Sequence, residues 1–190
     1  MNILFLTTAT STSLEIPGIT PWYADPQDSA LTVMTDFRER ASVTVAATAA
    51  IDEALEHMRH AGVRCAFTLD DQSRVVGLIT AYDIVGEKPM QYMQSRAITR
   101  REVLVRDIMQ RVAEWRVADI KQIERVSVAA VAHMFAEKRL THLPIVETSE
   151  AGEQRLRGLL SAAKVKRLLS RPEAVRRDVT GVAASVGRHG

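Results

Sequence analysis

The stretch Gly77–Leu78–Ile79–Thr80–Ala81–Tyr82–Asp83 returns in altered form as Gly158–Leu159–Leu160–Ser161–Ala162–Ala163–Lys164. A chain that carries the same local pattern twice must fold as two related units, so this duplication limits the architecture before any other feature does. A glycine, two aliphatic residues and a hydroxyl keep their places, while the acid becomes a lysine. The order predicts a strand running into a helix start, with Thr80 or Ser161 as N-cap and Asp83 or Lys164 in the first turn. Free backbone N–H groups at such a start suit an anion, and a carboxylate beside them suits a pair of sugar hydroxyls.

The neighbouring segments repeat as well. Apolar residues at Ile51, Ala54, Leu55 and Met58 follow helical spacing toward a C-terminal Gly62, and Val128, Val131, Ala132 and Phe135 do the same before Arg139–Leu140. Each helix is followed by a short apolar strand, Cys65–Leu69 or His142–Val146, and by a polar turn, Asp70–Arg74 or the longer Glu147–Gln154. A surface hairpin tolerates that extra length. Ser42–Val45 and Trp115–Ile120 are expected to supply the entry strands. The unit is therefore strand–helix–strand–strand–helix, twice.

This order resembles a tandem pair of CBS (cystathionine β-synthase-type) domains, the Bateman module, in its standalone bacterial form with no effector domain attached. The resemblance is carried by the Gly–aliphatic–aliphatic–Thr–x–x–Asp stretch at 77–83 and by the apolar strand ending in Leu143–Pro144–Ile145–Val146. It is also carried by Asp107–Ile108–Met109 ahead of the second unit, with a looser Val33–Met34–Thr35–Asp36–Phe37 ahead of the first. It implies an α/β fold of two β-α-β-β-α units packed through their sheets. The organisation expected is an irregular arm over 1–30, unit 1 over 31–88, a linker helix over 89–106, unit 2 over 107–171 and a basic tail over 172–190.

The resemblance further implies that Asp83 accepts from ribose hydroxyls and that Thr80 contacts phosphate or ribose. It puts an adenine base between Val43–Val45 and Ala66–Phe67, where Phe67 stands in place of the family's proline. In the altered copy, Lys164 is an ammonium with donors only and cannot accept from a diol. That copy is either vacant or a phosphate contact made by Lys164 with help from His142 or Lys166, beside the N-cap Ser161; Pro144 serves strand geometry at a position that borders the family's base pocket. The implied ligand is AMP, ADP or ATP, ahead of S-adenosylmethionine and NAD, and the implied assembly is a homodimer that signals to a downstream protein. The competing classes are a ligand-free interaction module and a DNA-binding regulator.

Composition fits this picture. The chain has 190 residues, 46% hydrophobic and 25% charged, enough for a buried core under a wet surface. No run approaches the roughly 20 apolar residues that span a bilayer, and the N-terminus lacks a basic-flanked signal core. A cytoplasmic protein without membrane contact is expected. The single cysteine, Cys65, excludes an intramolecular disulfide. Residues 154–190 hold 9 Lys+Arg against 2 Asp+Glu within a chain of net +2. That basic stretch lacks interleaved aromatics or a recognition motif, so no nucleic-acid partner is expected. No catalytic motif, metal site or cofactor is expected either: His57, His60, Glu53 and Glu56 suit a solvated helix face, and Met58, Met90, Met93, Met109 and Met134 suit core gap-filling.

Overall fold

The computed structural model describes residues 23–170. Residues 1–22 of the expected arm and the whole of the expected basic tail lie outside them. After a 3-10 turn at Ala30–Val33 the chain forms β1 (Thr35–Asp36), β2 (Thr44–Ala46), α1 (Ile51–His60), β3 (Cys65–Leu69), β4 (Val75–Thr80) and α2 (Ala81–Val85). The connection follows as α3 (Lys88–Arg96), α4 (Val105–Ile108) and β5 (Gln110–Arg111). The second unit is β6 (Ala118–Asp119), α5 (Ile120–Ile123), α6 (Val128–Lys138), β7 (His142–Thr148), β8 (Gln154–Ser161) and α7 (Ala162–Leu169).

The spacing read from the sequence produces these elements for identifiable reasons. In α1 the buried residues are Ile51, Ala54 and Met58, one stripe at helical spacing, and the chain leaves the helix through Gly62 at φ +65°. In α6 Val128, Val131 and Phe135 are buried, Ser127 caps the start, and Arg139 turns the chain out in the left-handed region. Pro89 sits in the first turn of α3, where a missing N–H costs nothing. Unit 2 departs from the expected pattern by inserting the one-turn α5 between its entry strand and its main helix, capped by Asp119 onto Lys121 N.

Among the described residues two four-stranded sheets result, β2-β3-β4-β5 and β1-β8-β7-β6. In each, the entry strand runs parallel to the central strand and the hairpin is antiparallel. The outer strands are exchanged. β5, which precedes unit 2, pairs with β4 of unit 1, and β1, which precedes unit 1, pairs with β8 of unit 2. The duplicated glycines make this possible. A methyl group on Gly77 would lie 2.5 Å from Met109 Sδ and 2.8 Å from the Gln110 carbonyl oxygen; on Gly158 it would lie 2.8 Å from both Met34 Sδ and the Thr35 carbonyl oxygen. Each glycine thus admits the methionine and backbone of the exchanged strand.

Each unit has its own core, one built on Ile51, Met58, Ile79 and Ile84 and the other on Val131, Ile145, Leu160 and Leu168. A third cluster joins the sheets: Phe67 and Leu78 of unit 1 meet Leu159 of unit 2. Phe67, only 3% exposed, takes Phe37 and Trp115 edge-on at centroid distances of 5.4 and 5.9 Å. Asp36 of β1 pairs with Arg157 of β8, both largely buried, fixing the exchanged strand.

One buried polar atom is unmatched among the described residues, Thr68 Oγ1 on β3. An unbonded hydroxyl in a core costs on the order of 1 kcal/mol or more. Thr68→Val is therefore expected to raise the melting temperature by several degrees (about 2–4 °C per kcal/mol for a chain this size), checked by thermal denaturation.

Candidate functional site

Cys65 pairs with Thr80 across the first hairpin and His142 with Ser161 across the second, so equivalent strand ends carry equivalent hydroxyls. Ala81 N donates to the Arg64 carbonyl and Ala162 N to the Thr141 carbonyl, both at 2.9 Å. Each helix start is therefore pinned to the residue before its central strand. These matched corners face one another across a crevice of about 630 Å³, lined by Thr80, Tyr82, Asp83, His142 and Ser161 with Arg64, Lys88 and Glu114 among its walls.

Thr80 and Asp83 form a reciprocal cap. Thr80 Oγ1 accepts from Asp83 N at 3.1 Å, while Asp83 Oδ2 accepts from Thr80 N at 2.9 Å and from the Thr80 hydroxyl at 2.6 Å. The other carboxylate oxygen, Oδ1, pairs with Lys88 Nζ at 2.7 Å, and that ammonium also donates to the Ile108 carbonyl at 3.3 Å. The Asp83 side chain is 15% exposed. In the second copy Ser161 stands at the N-cap position but its side chain makes no cap bond, contrary to the expected role. Without an acid at position 164 the reciprocal half of the box is missing.

Lys164 turns away from the crevice. Its Nζ donates to the Met34 carbonyl and to Thr35 Oγ1, both at 3.2 Å, tying down the approach to β1. Burial, and then the charges of Arg40 and Arg167, lower its pKa. Of the other residues singled out from the sequence, Val45, Ala66 and Phe67 are buried and Val43 is half-buried. Phe67 N donates to the Val43 carbonyl at 2.9 Å, and none of the four lines the crevice. The space beside Phe67 is filled by Phe37 and Trp115. Pro144 is buried opposite Leu159 in the β7–β8 ladder. The structure thus brings Thr80, Asp83, His142 and Ser161 together and leaves the other six elsewhere.

Burial lowers the His142 pKa below the usual 6.5, against the opposing pull of the Asp83 charge. A histidine whose folded pKa is depressed contributes stability that is complete above about 6.5 and is lost as pH falls through the folded value. Acidification from pH 7.5 to 5 is expected to lower the melting temperature, and His142→Gln to flatten that dependence. Burial also pushes the Cys65 thiol up to about 11, leaving it protonated and inert at neutral pH. Among the described residues no cluster of His, Cys, Asp or Glu is arranged to hold a metal ion, and no helix is long and apolar enough to cross a membrane.

Two exchanged sheets around a shared crevice define a paired-repeat α/β module. Residues 23–89 match the family model of the CBS domain. The second half of the chain repeats the same order of elements, so the fold is similar to that of a CBS-domain pair. The conserved CBS domain protein TA0289 of unknown function from Thermoplasma acidophilum is similar at a TM-score of 0.53 and 20% identity, covering 76% of this chain and 71% of that one. The CBS-domain containing protein ATU1752 from Agrobacterium tumefaciens is similar at 0.51 and 16%, covering 82% and 98%. An uncharacterized conserved protein from Pyrococcus horikoshii is similar at 0.53 and 20%, covering 78% and 97%. No curated protein matches the chain.

Proposed function

We propose that the protein is a non-catalytic, cytoplasmic regulatory module that senses an adenine nucleotide in the crevice between its two repeats. One observation carries this reading: Thr80 and Asp83 of the first repeat and His142 and Ser161 of the second meet at a single opening of nucleotide-holding size. Asp83 is the acceptor for ribose hydroxyls, and Arg64, Lys88 and His142 supply donors for phosphate. Tyr82, 81% exposed at the rim, offers a ring face to the base. A homodimer is supported by the apolar residues that α2 and α3 leave in solvent, Tyr82, Val85 and Met90.

Calorimetric titration with AMP, ADP and ATP tests the assignment. Asp83→Ala removes a charged acceptor and is expected to weaken binding by about tenfold or more. Absence of heat and of thermal shift with every adenylate would favour the second reading, a ligand-free interaction module. That alternative is supported by how fully Thr80 and Lys88 already occupy the Asp83 carboxylate.

A further inference from the structure

The geometry points to Lys88 as a built-in competitor for the sugar-binding carboxylate: its ammonium holds the position on Asp83 that a ribose diol needs, and ligand binding displaces it. This inference rests on the nucleotide reading of the crevice and adds to it the residue that sets affinity. A carboxylate offers about four lone-pair positions. On Asp83 the two of Oδ2 are taken by the Thr80 amide and hydroxyl, and Lys88 occupies one on Oδ1. A diol donates two hydroxyl hydrogens, so it cannot be accommodated while both the cap and the ammonium remain. The cap is integral to the start of α2, whereas the lysine side chain is 49% exposed on a flexible stem. The ammonium is therefore the group that yields.

Displacement has somewhere to go. Lys88 stands in the wall of the crevice and also borders the shallow depression formed with Tyr92, Asp107 and Ile108. Its second bond is to the Ile108 carbonyl, immediately before Met109, the residue that sits on Gly77 and leads into β5. The same ammonium thus joins the cradle to the segment carrying the exchanged strand, and a sugar that takes Asp83 removes one end of that tie.

Adenosine separates this competition from any attraction of lysine to phosphate, because it carries the diol without charge. Titration of full-length wild type and Lys88→Met with adenosine and with AMP is the test. The variant is expected to bind adenosine about fivefold more tightly, the scale of a partly exposed ion pair, and AMP with a smaller gain, since the lost ammonium also faces the phosphate. Adenosine binding that is detectable only in the variant supports the inference as well. Unchanged or weaker adenosine binding by the variant, while wild type binds AMP, overturns the competitor and leaves the nucleotide reading standing. Absence of binding of either probe by either protein overturns both. Lys88→Gln serves as a second variant should thermal unfolding show Lys88→Met to be misfolded.

Discussion

Phe67→Ala is expected to destabilise the protein by about 3–5 kcal/mol, the range for emptying a well-packed core site of a phenyl ring. The ring is the centre of the contact between the sheets, with Phe37 and Trp115 edge-on to it and Leu78 and Leu159 beside it. Removing it leaves a void that neither sheet can fill without shifting its whole face. The melting temperature should fall by about 6–20 °C, given roughly 2–4 °C per kcal/mol at this size. Tyr82→Ala is the control, because its side chain is 81% exposed and its loss should stay within about 0.5 kcal/mol. A drop below about 1 kcal/mol for Phe67→Ala would mean that the sheets are held together elsewhere.

Gly77→Ala and Gly158→Ala are expected to be nearly as damaging, for the opposite reason. Methionine sulfur can swing aside, but the Gln110 and Thr35 carbonyl oxygens at 2.8 Å belong to strands already paired with β4 and β8. Added bulk must push the exchanged strand off its ladder, at about 1–3 kcal/mol or more for each substitution. Gly152→Ala provides the contrast. It has φ +81° and open space around it, so only backbone strain of roughly 1–2 kcal/mol is at stake. Denaturant unfolding that showed Gly77→Ala to be no worse than Gly152→Ala would refute the steric account.

Much of this fold is legible in the chain because the signals are long or repeated. The stripe of Ile51, Ala54 and Met58 spans about two turns, and the strand expected at Cys65–Leu69 has those bounds in the structure. The capping partnership of Thr80 with Asp83 also follows from a four-residue pattern. The exchange of outer strands does not follow. β1 and β5 are two residues long and too short for any periodicity, and their partners are decided by tertiary packing. A glycine at 77 or 158 could mark a turn as readily as a close approach, and only the facing methionines distinguish the two.

At the candidate site, Thr80 and Asp83 carry a local motif, whereas Arg64, Lys88, Glu114 and Thr141 reach the crevice from separate segments. Lys88 lies five residues beyond Asp83 across Gly86, where the chain folds back from α2 into α3. Its encounter with the carboxylate depends on that turn. Phe67 is ambiguous in sequence for a different reason. A large ring in place of a proline suits either a narrowed pocket or a filled interface, and the structure shows it packed against Phe37 and Trp115.

The crossed edge strands bear on how the molecule could be taken apart. A chain severed between α3 and α4 would yield two pieces, each carrying the border of its neighbour's sheet and lacking its own. Either piece alone would present an open ladder flank, a surface prone to sticking to other chains. Mixed together, the pieces could restore one another, as complementary fragments do. Such interlocking makes the duplication more than two beads on a string: neither half is a finished object, and the two melt or survive as one.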